Sequence, residues 1–121
     1  MSLSHFFFKS ALWTACFVEQ VSSDRVVVRL GLRSLGYTWG MITTGTDAAS
    51  VGIPDVKNAA QGALAVGGSN CVWAKRLTES TIDDIVLTGC SLSLGSDYQV
   101  FAYAEDGNLL GDGCPIYLSF I

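Results

Sequence analysis

Four cysteines, a single histidine and a scatter of acidic residues are the side chains that could do chemistry in this chain. Cys16, Cys71, Cys90 and Cys114 show no CxxC spacing. A zinc site wants Cys or His ligands in close pairs, and the one histidine, His5, stands near the start, so no metal is expected. An even number of cysteines without metal spacing reads as two disulfides, and so as an oxidising compartment. Four reduced core cysteines are the alternative, because free cysteine is among the most buried residue types.

Hydrolytic chemistry finds little support. A Ser–His–Asp site or a cysteine nucleophile needs a positioned base. His5, beside Phe6-Phe7-Phe8, is expected to pack or to be solvated instead. Asp83 and Asp84 are adjacent, so on a strand they point to opposite faces and cannot form the facing pair of a glycosidase. Asp97, Glu105, Asp106 and Asp112 read as solvated turn residues, with a calcium site between loops as the alternative. The run from Asp106-Gly107-Asn108 resembles the start of an EF-hand loop. It offers Leu110 at the fifth position and Tyr117 at the twelfth, so it is read as a turn. Gly67-Gly68 and Gly111-Asp112-Gly113 lack the lysine and spacing of a phosphate loop. Neither Arg-Gly-Asp nor Asn-x-Ser/Thr occurs. The expectation is a protein without catalytic residues and without a cofactor.

The chain has 121 residues, enough for one domain over 1–121, with 1–10 as a lead-in. Half of it is apolar and only 15% is charged, against roughly a quarter in average soluble domains. Net charge is −4, which argues against nucleic acid as a partner. Arg25, Arg29 and Arg33 form one regular basic series; on a strand they share a solvated face. No run of ~18 apolar residues exists, so no membrane insertion is expected. Phe6-Phe7-Phe8 and residues 11–18 resemble a signal-peptide core, but Lys9 interrupts them and no clean cleavage site follows. Met1-Ser2-Leu3 reads as an added start before an excised domain.

Alternation of period two dominates. Residues 11–21 form a β-rich run, and Ser22-Ser23-Asp24 a turn. Residues 25–33 set Val26, Val28, Leu30 and Leu32 against Val27, Arg29, Gly31 and Arg33. Residues 37–43 put Tyr37, Trp39 and Met41 on one face. Residues 44–68, rich in Gly, Ala, Ser and Asp, read as a surface crossover. Within it, residues 54–61 read as a short helix: Pro54 suits its start, Asp55 its first turn and Gly62 its stop. Residues 71–77 and 82–90 flank Thr78-Glu79-Ser80-Thr81 like a hairpin. Residues 98–105 place Tyr98, Val100, Ala102 and Ala104 on one face. Gly111-Asp112-Gly113 extends a turn, and residues 114–121 form the last strand, with Ile116, Leu118 and Phe120 together. Seven antiparallel strands and short turns predict an all-β sandwich with a short helix in a long crossover.

Leu92-Ser93-Leu94-Gly95-Ser96-Asp97-Tyr98 resembles the corner before strand F of fibronectin type III domains, usually Leu-x-Pro-Gly-Thr-x-Tyr. Leu92, Gly95 and Tyr98 fall at the matching positions; Leu94 and Ser96 replace the usual Pro and Thr. In that family the Tyr hydroxyl bonds back to the corner backbone and pins the turn. Leu35-Gly36-Tyr37-Thr38-Trp39-Gly40-Met41-Ile42, the Pro54-led crossover, Ile85-Val86-Leu87-Thr88-Gly89 and the YQVFAYAEDGN run from Tyr98 are similar to the fibronectin-like repeats of large microbial surface proteins. The similarity runs in order over residues 24–121. The usual strand-B Trp is absent, which leaves Trp39 or Trp13 to fill that volume. Immunoglobulin-like and cadherin-like sandwiches fit the same strands.

The resemblance implies an immunoglobulin-like, fibronectin type III-like module of a larger secreted or cell-surface protein. Its role would be adhesion or ligand binding, with a spacer or an accessory domain of a secreted carbohydrate-active enzyme as alternatives. Its partners would be a protein or glycan ligand, or neighbouring modules of the same chain. Four cysteines allow three pairings. Reflecting the expected hairpin about its centre sets Cys71 against Cys90. That leaves Cys16 and Cys114, which the resemblance brings near each other because the family's first and last strands approach. A binding face is expected from the aromatics set opposite the Val100–Ala102–Ala104 side, Phe101 and Tyr103, with Trp73 and Tyr117. Cover by a neighbouring loop, the crossover or a partner module is the alternative.

Overall fold

A computed structural model describes residues 12–61, 64–66, 70–79, 82–107 and 111–120; for Asp112, Ser119 and Phe120 it describes the backbone alone. His5, the Phe6-Phe7-Phe8 run, the stop at Gly62, Gly67-Gly68, Ser80-Thr81 and Asn108 lie outside the described residues.

Seven strands form: β1 (Trp13–Val21), β2 (Arg25–Leu32), β3 (Gly36–Thr44), β4 (Val72–Thr78), β5 (Asp83–Thr88), β6 (Ser96–Asp106) and β7 (Gly111–Phe120). One sheet has the order β1-β2-β5 and the other β4-β3-β6-β7, all pairs antiparallel. The alternation in β2 acts as expected. Val26, Val28, Leu30 and Leu32 enter the core between the sheets, where they meet Tyr98, Val100, Ala102 and Ala104 of β6. Burial of that many β-branched and aliphatic side chains between two pleated faces is the main force holding the layers together, roughly 1.5–3 kcal/mol per fully buried large side chain. Trp13, Trp73 and Tyr98 supply the aromatic volume of this core, while Trp39 lies outside it.

β4 and β5 do not form the expected hairpin. β4 pairs with β3 and β5 with β2, so the chain crosses from one sheet to the other between them. The two strands are separate edges, because β3 and β2 each offer a longer apolar neighbour than they offer each other. Gly111-Asp112-Gly113 also departs from expectation: it is the start of β7, with Gly111 opposite Glu105 and Gly113 opposite Tyr103.

The crossover folds over the outer face of the four-stranded sheet. It carries a 3-10 turn (Ala48–Ser50), a short helix α1 (Ile53–Lys57) and a second 3-10 turn (Ala59–Gln61). Pro54 opens α1, and the Asp55 carboxylate accepts a 2.8 Å hydrogen bond from the Gly52 N–H. Val51, Val56 and Ala59 pack down onto Trp39, Met41, Phe101 and Tyr103, forming a second apolar cluster.

The chain enters β1 at the pole that holds Leu32, Gly36 and Asp83. It leaves β7 at the opposite pole, beside Ser96.

Candidate binding groove

The structure relocates most of the expected binding face. Phe101 and Tyr103 do lie on the outer side of β6, but the crossover covers them and they are buried. Trp73 faces inward: its ring lies over Gly40, where a Cβ would overlap it, and its Nε1 donates to the Thr38 hydroxyl at 3.2 Å. Of the four, Tyr117 alone is open, at 85% exposure, beside a hollow of about 800 Å³ with Thr44, Ser93, Ser96 and Asp97.

The residues read as structural sit as follows. Tyr98 is buried, and its hydroxyl accepts a 2.6 Å bond from the Ser93 N–H. Leu92 is buried nearby, and Gly95 takes φ +84°, a conformation that glycine adopts at little cost. Cys71 is bonded to Cys90, and Cys16 to Cys114. The first pairing matches the expectation although the hairpin behind it is wrong. Cys71 precedes β4 and Cys90 follows β5, so this bond joins the ends of two strands from different sheets. The second bond joins β1 to β7 across the open side of the sandwich. Two disulfides fit an oxidising, extracellular-type environment. Among the described residues no helix is long and apolar enough to cross a membrane.

The acidic residues divide between the poles. Asp97 lies near the start of β6, whereas Glu105 and Asp106 end that strand at the opposite pole, where the backbone of Asp112 opposes Ala104. Among the described residues no cluster of three potential metal ligands forms. Asp84 and Asp83 point apart: Asp84 takes Arg29 in a two-pronged contact of 2.8 and 3.2 Å, and Asp83 takes Arg76 at 2.7 Å. The hydrogen bond to Asp84 raises the Arg29 guanidinium above its ordinary value, and that from Arg29 holds the Asp84 carboxyl below its own. Glu19 adds a third member at 2.7 Å. The expected solvated arginine face is thus, at Arg29, an ion-pair ladder across β1, β2 and β5.

A second recess was not foreseen. It lies where α1 rests on β3 and β6, with Lys75 of β4 on its rim, and is an open hollow of about 780 Å³ between Tyr37, Ile53, Pro54, Lys57, Lys75 and Glu105. Lys57 stands 4.7 Å from the Trp39 ring centre and 2.9 Å from the Glu105 carboxylate. Lys75 stands 5.5 Å from the Tyr37 ring centre. Each ammonium is therefore held over an aromatic face. Lys75 owes its position to a bulge. Thr38 pairs with Arg76 and Gly40 with Trp73, so Ala74 and Lys75 together oppose Trp39. At the bulge Lys75 takes φ 49°, a left-handed conformation that costs a non-glycine residue about 1 kcal/mol or more.

Tyr37 also borders a smaller apolar hollow of about 280 Å³ with Leu35 and Leu77. Leu35 and Leu77 are 54% exposed and Tyr37 42%, a run of large apolar side chains facing water at one pole. A trace of it was visible in the sequence: Leu35 breaks a polar turn. Nothing in the spacing marked Lys75 or Leu77. No family model matches the chain, and no curated protein or solved structure matches it.

Proposed function

We propose that this is a non-catalytic, fibronectin type III-like module of a larger surface or secreted protein, and that it binds a protein partner through the Leu35–Tyr37–Leu77 strip. The carrying observation is that strip: three large apolar side chains, contiguous and open, around a hollow beside a larger groove. Exposed apolar patches of this kind mark interaction sites more often than chance. The strand order supports the family reading. In constant immunoglobulin domains the fourth strand lies with the first, second and fifth. Here β4 lies with β3, β6 and β7. The Tyr98–Ser93 bond gives the corner the family implies. Entrance and exit at opposite poles suit a module strung between others, which keeps the spacer role as a second reading.

The test is an array of secreted and surface proteins probed with the disulfide-intact domain and with a Leu35→Ser/Leu77→Ser variant of unchanged melting temperature. The expected result is a partner bound by the first and lost by the second. A partner held equally by both, or no partner, would favour the spacer.

A further inference from the structure

Resting on that docking reading, we propose that the partner presents an extended peptide segment carrying a carboxylate two residues from a large apolar side chain, with the carboxylate received by Lys75. The charge of the groove points there. Glu105 neutralises Lys57 at 2.9 Å. Lys75 makes no salt bridge with any carboxylate among the described residues. The groove therefore holds an uncompensated positive charge in a chain whose net charge is −4. The edge strand β4 bends into a bulge at that residue, and the bulge brings its ammonium over Tyr37.

Spacing sets the rest. Lys75 and Leu77 border the two hollows that share Tyr37. Two residues along a strand span about 7 Å, and side chains at i and i+2 of an extended ligand lie on one face at that same span. An acidic-x-apolar segment thus meets Lys75 and the Leu35–Leu77 hollow together. A sugar ring fits less well, because the faces of Tyr37 and Trp39 that it would stack on already carry ammonium groups at 5.5 and 4.7 Å.

Fluorescence anisotropy on the oxidised domain decides it, with labelled Ser-Glu-Ser-Leu-Ser-Leu and its Ser-Gln-Ser-Leu-Ser-Leu counterpart as probes. The glutamate peptide is expected to bind about threefold tighter, the worth of an exposed ion pair. That preference should vanish in Lys75→Gln and in about 0.5 M salt, and persist in the control Arg25→Gln. Equal binding of the two peptides, no binding of either, or a preference that survives Lys75→Gln would overturn the proposal. So would an acidic oligosaccharide whose binding Lys75→Gln abolishes while the peptides stay unbound. If both peptides bind equally and both are lost in Leu35→Ser/Leu77→Ser, the acidic preference fails while the docking strip stands.

Discussion

The hydroxyl of Tyr98 receives the backbone N–H of Ser93 at 2.6 Å, so the first residues of β6 hold the turn that leads into them. The same segment is tied on its other side, where Leu92 N–H donates to the Ser23 carbonyl at 2.6 Å. Tyr98→Phe keeps the ring and removes the acceptor. It is expected to cost about 1 kcal/mol, read as a lower urea midpoint at unchanged m-value. An unchanged midpoint would mean that the corner is held by burial alone.

The two disulfides close loops of very different length, with sequence separations of 98 and 19. Chain-entropy arguments assign about 4.7 kcal/mol to the longer and about 3 to the shorter. Replacing Cys16 and Cys114 together by alanine should therefore destabilise more than replacing Cys71 and Cys90 together. Denaturant titration of the two double variants checks the order. Peptide mapping without reductant should recover the same two pairs.

Gly40 and Trp73 form a lock of a different kind. A Cβ on Gly40 would collide with the indole, so Gly40→Ala should cost about 1–3 kcal/mol by overpacking. Trp73→Phe frees space at the same point. The double variant should lose less than the sum of the singles, and thermal unfolding of the four proteins measures the coupling.

Acid should reach the Arg29–Asp84 pair in a defined direction. The Arg29 hydrogen bond lowers the folded-state pKa of Asp84, so its stabilisation is complete above the ordinary carboxylate value of about 3.9 and is lost as pH falls through the lowered value. Asp84→Asn should flatten that part of the stability profile, with urea midpoints followed from neutral pH into acid. An identical acid limb in both proteins would show that the pair contributes nothing measurable.

Much of the architecture could be read from alternation. The inward sets of β2 and β6 are the ones that the spacing named, because burial on one face enforces a period of two. Partner choice between strands could not be read this way. Residues 71–77 and 82–90 carry the signal of a hairpin, yet their hydrogen bonds go to β3 and β2. A turn between two strands looks the same in sequence whether it closes a hairpin or crosses between layers. The candidate groove was hidden for a related reason. Phe101 and Tyr103 look available on their strand and are covered by a segment roughly fifty residues upstream, while Lys75 gains its place from a bulge that sequence does not mark.

The Cys16–Cys114 bond has a mechanical meaning. Pulled by its two ends, the domain would carry tension into β1 as far as Cys16, through the sulfur bridge, and out along β7 from Cys114. Everything folded between those cysteines, including the groove, the corner and the second disulfide, is bypassed by the load. The domain can then be stretched by its ends while everything between those cysteines stays assembled, until a reductant opens the bridge.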